Sequence, residues 1–143
     1  MIKLTRLADY GIMLMARFAG SPLPTRSARD LASESRLPLP TVSKILKSLA
    51  RQGLLDAHRG VKGGFSLARA PERINVADII QALEGPIAFT ECCGQGACSV
   101  EPNCSVGSNW KKINQVVTRA LQAVTLADMV HPMGKAADFR ISV

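Results

Sequence analysis

Cys92, Cys98 and Cys104 follow a C-x5-C-x5-C spacing, and Cys93 stands beside the first of them. These four are the chain's cysteines. Thiolates grouped in this way can hold a metal, hold an inorganic cluster or exchange disulfides. Gly94, Gly96 and Pro102 lie between them. Glycines let a loop bend its thiolates around a cluster, and free N–H groups can then reach the sulfides. Structural zinc usually takes two close C-x2–4-C pairs; Cys93 and Cys98 make one such pair, and no second is present. In a reducing compartment clustered cysteines serve more often as ligands or redox groups than as structural disulfides. The spacing fits a cluster best, and zinc and a thiol–disulfide loop stay open beside it.

A second chemistry is electrostatic. The chain has 143 residues and a net charge of +7, with a pI near 9.7. Residues 1–73 carry 13 Lys/Arg against 5 Asp/Glu, and residues 74–143 carry 5 against 6. The whole positive excess therefore lies in the N-terminal half. A polyanion is the simplest partner, because cations that neutralise phosphates gain affinity from counterion release.

No stretch reads as a secretory signal. Tyr10–Ala16 is apolar but short, and Asp9 and Arg17 bracket it. No segment reaches the roughly 18–20 apolar residues of a membrane span. The expectation is a cytoplasmic protein without a membrane partner. No cofactor fingerprint, phosphate loop or paired acid–base set points to an enzyme.

Local patterns supply the elements that must position these groups. With 47% apolar and 4% aromatic residues, the core must be aliphatic, which suits packed helices. Residues 4–19 place Leu4, Leu7, Gly11, Leu14, Met15 and Phe18 at helical spacing, with Thr5 as a cap. Ser27-Ala-Arg-Asp30 starts a short helix that ends at Ser35. Pro40 opens the next, which runs to Gln52. Val42, Ile45, Leu46 and Leu49 form its apolar face, opposite Lys44, Lys47, Ser48 and Arg51. Two short helices with a tight turn and a basic outer face make a helix-turn-helix. Leu54–His58 and Phe65–Ala68 read as strands around Arg59-Gly-Val-Lys-Gly-Gly64, a hairpin whose tip carries Arg59 and Lys62.

Asn75 caps a helix over 76–83, and Gly85-Pro86 ends it. A loop of about twenty residues follows and holds the cysteines; loops of that length are usually functional or disordered. A last helix over 108–128 places Trp110, Ile113, Val117, Ala120 and Val124 on one stripe. No neighbouring segment covers that stripe, so it reads as a dimerisation face; packing on the first helix is the alternative. The expected organisation is a winged helix-turn-helix domain over 1–85, a cysteine loop over 86–107, a dimerisation helix over 108–128 and a flexible tail over 129–143. The fold class is mostly α with a small β-hairpin.

The segments Leu4-Thr-Arg-Leu-Ala-Asp-Tyr10, Leu49-Ala-Arg-Gln-Gly-Leu-Leu55 and Arg59-Gly-Val-Lys-Gly-Gly-Phe65, the cysteine loop and Trp110 together resemble the Rrf2 family of bacterial regulators. That family includes iron–sulfur-sensing regulators of cluster assembly and nitric-oxide-sensing repressors. The resemblance implies a winged-helix homodimer bound to an operator in double-stranded DNA. It also implies a 2Fe–2S or 4Fe–4S cluster on Cys92, Cys98 and Cys104 with one further ligand. An adjacent Cys92-Cys93 pair looks like a subgroup associated with the SUF assembly system. Where cluster-assembly regulators carry a fourth-ligand His, this chain has Gly107. The nitric-oxide branch takes an acidic residue of the first helix from the partner subunit, and Asp9 matches it. A structural reading of Asp9, as a carboxylate favoured at a helix N-terminus, stands equally. Cys93 is the third candidate.

The expected function is transcription regulation under cluster control. Alternatives are a nitric-oxide- or redox-sensing repressor of the same fold, and a thiol-based regulator without metal. The expected DNA contacts are Thr41, Ser43, Lys44 and Lys47 in the major groove, with Arg59 and Lys62 reaching the minor groove or backbone.

Overall fold

A computed structural model describes residues 3–131. The expected tail lies outside the described residues from position 132 onward. Helix α1 spans Arg6–Ala19, and the Thr5 side chain accepts the Ala8 N–H at its start. Thr5 is extended (φ −68°, ψ 158°), which leaves Leu4 outside the helix and 47% exposed. The expected stripe therefore loses its first member. Ala8, Gly11, Ile12, Leu14, Met15 and Phe18 are its buried residues.

Helices α2 (Ala28–Ser35) and α3 (Leu39–Arg51) follow. Ser27 caps α2 by accepting the Asp30 N–H, and Arg36 ends it in the left-handed conformation (φ 57°). Pro40 stands in the first turn of α3, second after Leu39. Val42, Ile45, Leu46 and Leu49 are fully buried. Burying a side chain of this size contributes about 1.5–3 kcal/mol, so this face holds α3 in place and leaves its basic face free.

Strands β1 (Leu55–His58) and β2 (Gly64–Leu67) form an antiparallel hairpin that pairs Leu55 with Leu67 and Ala57 with Phe65. Arg26 bridges to Phe65 through two main-chain hydrogen bonds of 2.8 Å. The Arg26 side chain is buried and pairs with Glu34, which also lies 3.5 Å from Arg17. These contacts fasten the hairpin to α2. The result is a winged helix-turn-helix.

Helix α4 (Val76–Glu84) starts with a reciprocal capping box between Asn75 and Asp78, and Gly85 ends it. The loop behind it holds two single 3-10 turns, Glu91–Cys93 and Glu101–Asn103. Helix α5 (Gly107–Gln122) packs on α4 and on the Glu91–Cys93 turn. One helix to residue 128 was expected; instead α5 stops, and a short α6 (Leu126–Val130) packs on α1. The break has a long-range cause. Val76 donates to the Val124 carbonyl at 2.9 Å, and Leu126 donates to the Ile74 carbonyl at 2.7 Å. Thr125 and Asp128 then form a capping box, and Leu126 is fully buried. Among the described residues no helix is long and apolar enough to cross a membrane.

Candidate nucleic-acid interface and cysteine loop

The outer face of α3 exposes Lys44 and Lys47 and leaves Thr41 and Ser43 half-buried. Arg59 and Lys62 are exposed at the wing tip. None of these four cations has a carboxylate partner among the described residues. The tip needs its glycines: Gly60 has φ +108°, and a Cβ on Gly63 would lie 2.6 Å from the His58 carbonyl oxygen. His58 is occupied within the wing, with Nε2 at 2.7 Å from Ser66 Oγ. The arrangement presents free cations on two adjacent projections of one rigid head, which suits the phosphates of a duplex.

The cysteine loop leaves the C-terminal end of α4. Asn114 of α5 holds its start: its amide accepts the Phe89 N–H at 3.1 Å and donates to the Ile87 carbonyl at 2.9 Å. Thr90 follows, with its hydroxyl 3.1 Å from Cys92 Sγ and 3.2 Å from Cys93 Sγ. Lys111 of α5 pairs with Glu101 at 2.6 Å. The hydrogen bond and charge of Glu101 raise Lys111 above its ordinary 10.5, with smaller contributions from Cys92 and Cys93. Cys104 donates its N–H to the Glu101 carbonyl at 3.2 Å. Its thiol lies beside Gly107, the buried first residue of α5.

All four cysteines are unpaired and half-buried. Among the described residues, no three His, Cys, Asp or Glu side chains form a metal-binding group. Cys92, Cys98 and Cys104 share the loop without converging, and Asp9 stands exposed in the first turn of α1. The exposed apolar side chains Val106, Trp110 and Ile113 lie at the start of α5. Farther along it, Leu121 packs on the chain's own core, as does Val124 just beyond its end. The stripe expected as one dimer face is thus divided between two surroundings.

Residues 4–132 match the Rrf2 family, described as an iron-dependent transcriptional regulator. The chain belongs to the Rrf2 family. It is a DNA-binding transcriptional regulator. It is 31% identical to a helix-turn-helix-type transcriptional regulator of Synechocystis over 131 residues, 91% of this chain and 88% of that protein. It is 25% identical to IscR of Escherichia coli over 134 residues, 91% of this chain and 81% of that protein. Among solved structures it resembles CymR, the global cysteine regulator of B. subtilis, with TM-score 0.74 and 27% identity. That likeness covers 91% of this chain and 97% of CymR. It also resembles T. potens IscR, with TM-score 0.62, 30% identity and coverage of 90% and 86%.

Tested against a cluster, this Rrf2 chain offers a suitable donor set: four free thiols on a loop with little regular structure. Convergence of Cys92, Cys98 and Cys104 needs the loop to close and one further donor to join. Several positioning residues escape a reading by motif. Arg26, Thr90, Glu101, Lys111 and Asn114 are ordinary polar residues whose partners lie elsewhere in the fold. Asn114 alone leaves a trace, as a polar residue next to the apolar stripe of α5.

Proposed function

We propose that this Rrf2 regulator acts as a homodimer whose operator affinity is set by an iron–sulfur cluster on the cysteine loop, and that it controls genes of cluster assembly of the SUF type. The observation that carries this reading is the placement of four unpaired thiols on a loop anchored to α5 by Asn114 and running on from α4. The iron-dependent character of the family supports it. Cys92, Cys98 and Cys104 would hold the cluster, completed by Asp9 of a second protomer or by Cys93. When bound, the cluster supplies a redox- and supply-sensitive crosslink between its ligands.

The chain's own residues do the reading. Thr41, Ser43, Lys44 and Lys47 face the major groove, and Arg59 and Lys62 face the minor groove or backbone. Val106, Trp110 and Ile113 meet a second copy, as exposed apolar side chains on one end of α5. Two-fold symmetry then places half-sites about 34 Å apart on a pseudo-palindromic operator. Loop order passes to the reading head through α4, which contacts both α3 and α5. A coupling of about 1–3 kcal/mol would change affinity roughly 5–150-fold.

Iron and acid-labile sulfide are measured on protein purified without oxygen, together with operator affinity before and after chelation. The reading requires stoichiometric iron and a changed affinity; absence of both iron and sulfide after reconstitution removes it. A thiol-based regulator is the second reading. The free, non-converging thiols favour it, as does the likeness to CymR of Staphylococcus aureus in its oxidised form, with TM-score 0.70 and 25% identity. Iron-free protein whose affinity responds to a disulfide reagent identifies that case.

A further inference from the structure

Neighbouring residues of an extended chain point their side chains to opposite sides. Cys92 and Cys93 do not. They end a one-turn 3-10 helix, Glu91–Cys93, and both Sγ atoms lie within hydrogen-bond reach of the same Thr90 hydroxyl, at 3.1 and 3.2 Å. That hydroxyl donates to Cys93 Sγ and is free to accept the Cys92 S–H. The Cys93 N–H bonds to the Thr90 carbonyl at 2.9 Å, which closes the turn. Both thiols are unpaired and partly open to solvent. Cys93 is also the cysteine that stands outside the C-x5-C-x5-C spacing.

We propose that Cys92 and Cys93 form a vicinal dithiol site for a monosubstituted trivalent arsenical. The chemistry is a condensation without change of oxidation state. With phenylarsine oxide, the two thiol sulfurs each form one bond to arsenic. The arsenic–oxygen bond breaks, and the oxygen leaves as water with both thiol protons. Two thiols on one side of a tight turn meet the geometric demand of such a ring, whereas a lone thiol forms one bond that hydrolyses readily. The site shares Cys92 with the cluster, and Cys93 too where that thiol completes it, but does not depend on the cluster reading. An arsenical seated there withdraws Cys92 from any other ligand set.

The test uses the full chain, reduced and free of iron, with phenylarsine oxide as the probe. Binding is followed by intact mass and by competition with a small dithiol. Wild type is expected to take one equivalent with loss of one water. Cys93→Ser should weaken binding by about 10²–10⁴-fold, the usual loss when a two-point attachment becomes a one-point one. Cys98→Ser and Cys104→Ser should bind as wild type does. Unfolding curves for each variant show whether the fold is kept. Equal binding by Cys93→Ser, or an equal loss in Cys98→Ser, would overturn the assignment. The loaded protein should also fail to take up iron and sulfide. Should wild type never take up iron, the cluster reading falls, and the arsenical stoichiometry still decides the dithiol site.

Discussion

Replacing Arg59 and Lys62 together by Ala tests how the wing meets DNA. Both side chains are exposed at the tip, and neither has a carboxylate partner among the described residues. Neither takes part in the ladder of the hairpin. The change should therefore leave the melting temperature where it is. Each phosphate neutralised steepens the fall of log K with log salt by about 0.9. The proposed cations Lys44, Lys47, Arg59 and Lys62 are four per protomer. If each meets a phosphate, a dimer should show a slope of about −7, and the double variant about −3.6. Between 50 and 200 mM salt, wild type should then lose affinity by roughly 10⁴-fold and the variant by roughly 10²-fold. A titration of labelled operator by fluorescence anisotropy across that salt range measures both slopes. Parallel slopes, with the fold intact, would show that the wing does not touch the phosphate backbone.

Other expectations bear on the frame and the loop. Gly64→Ala puts a Cβ 2.5 Å from the Arg26 carbonyl oxygen, a main-chain atom that cannot turn aside. Strain of this kind costs about 1–3 kcal/mol, so urea unfolding should show a lower midpoint; an unchanged midpoint would mean that the Arg26–Phe65 bridge is expendable. Hydrogen bonds from Thr125 hold Asp128 below its ordinary 3.8. A carboxylate depressed on folding stabilises above its unfolded value, and that contribution fades as pH falls through the folded one. The melting difference between wild type and Asp128→Asn should thus be full at neutral pH and close below about pH 3.8; a difference independent of pH would count against it. At Gly107→His the added Cβ has room, since its nearest neighbour is Cys104 Sγ at an ordinary 3.7 Å. The imidazole should slow loss of the cluster to a chelator. A kept fold with no change in cluster loss would count against a ligand at this position.

Much of the reading head is legible in the chain itself. Val42, Ile45, Leu46 and Leu49 repeat at the spacing of a helix face, and the structure buries each of them completely. Thr5, Ser27 and Asn75 cap helices because a short polar side chain satisfies N–H groups only two or three residues away. The wing follows from glycines between two short apolar runs. The cysteine spacing, too, is visible without coordinates. All of these signals are local: cause and effect lie within about one turn of chain.

What only the tertiary structure decided is long-range. The stripe of residues 108–124 continues as a helix pattern past Gln122, yet the helix stops there because residues 124–126 pair with 74–76, some fifty positions away. The same docking covers Leu121 and Val124 and leaves Val106, Trp110 and Ile113 exposed, so one periodic signal serves two faces. Arg26 carries no local signal of burial, and it is buried where it pairs with Glu34 and bridges to Phe65 of the wing. The cysteines show the contrast most directly. Their spacing names the chemistries open to the loop. Which thiols stand together is set by the turn at Thr90 and by the grip of Asn114 on the loop. Spacing along a chain limits which side chains can meet, whereas the contacts that fold the loop choose among them.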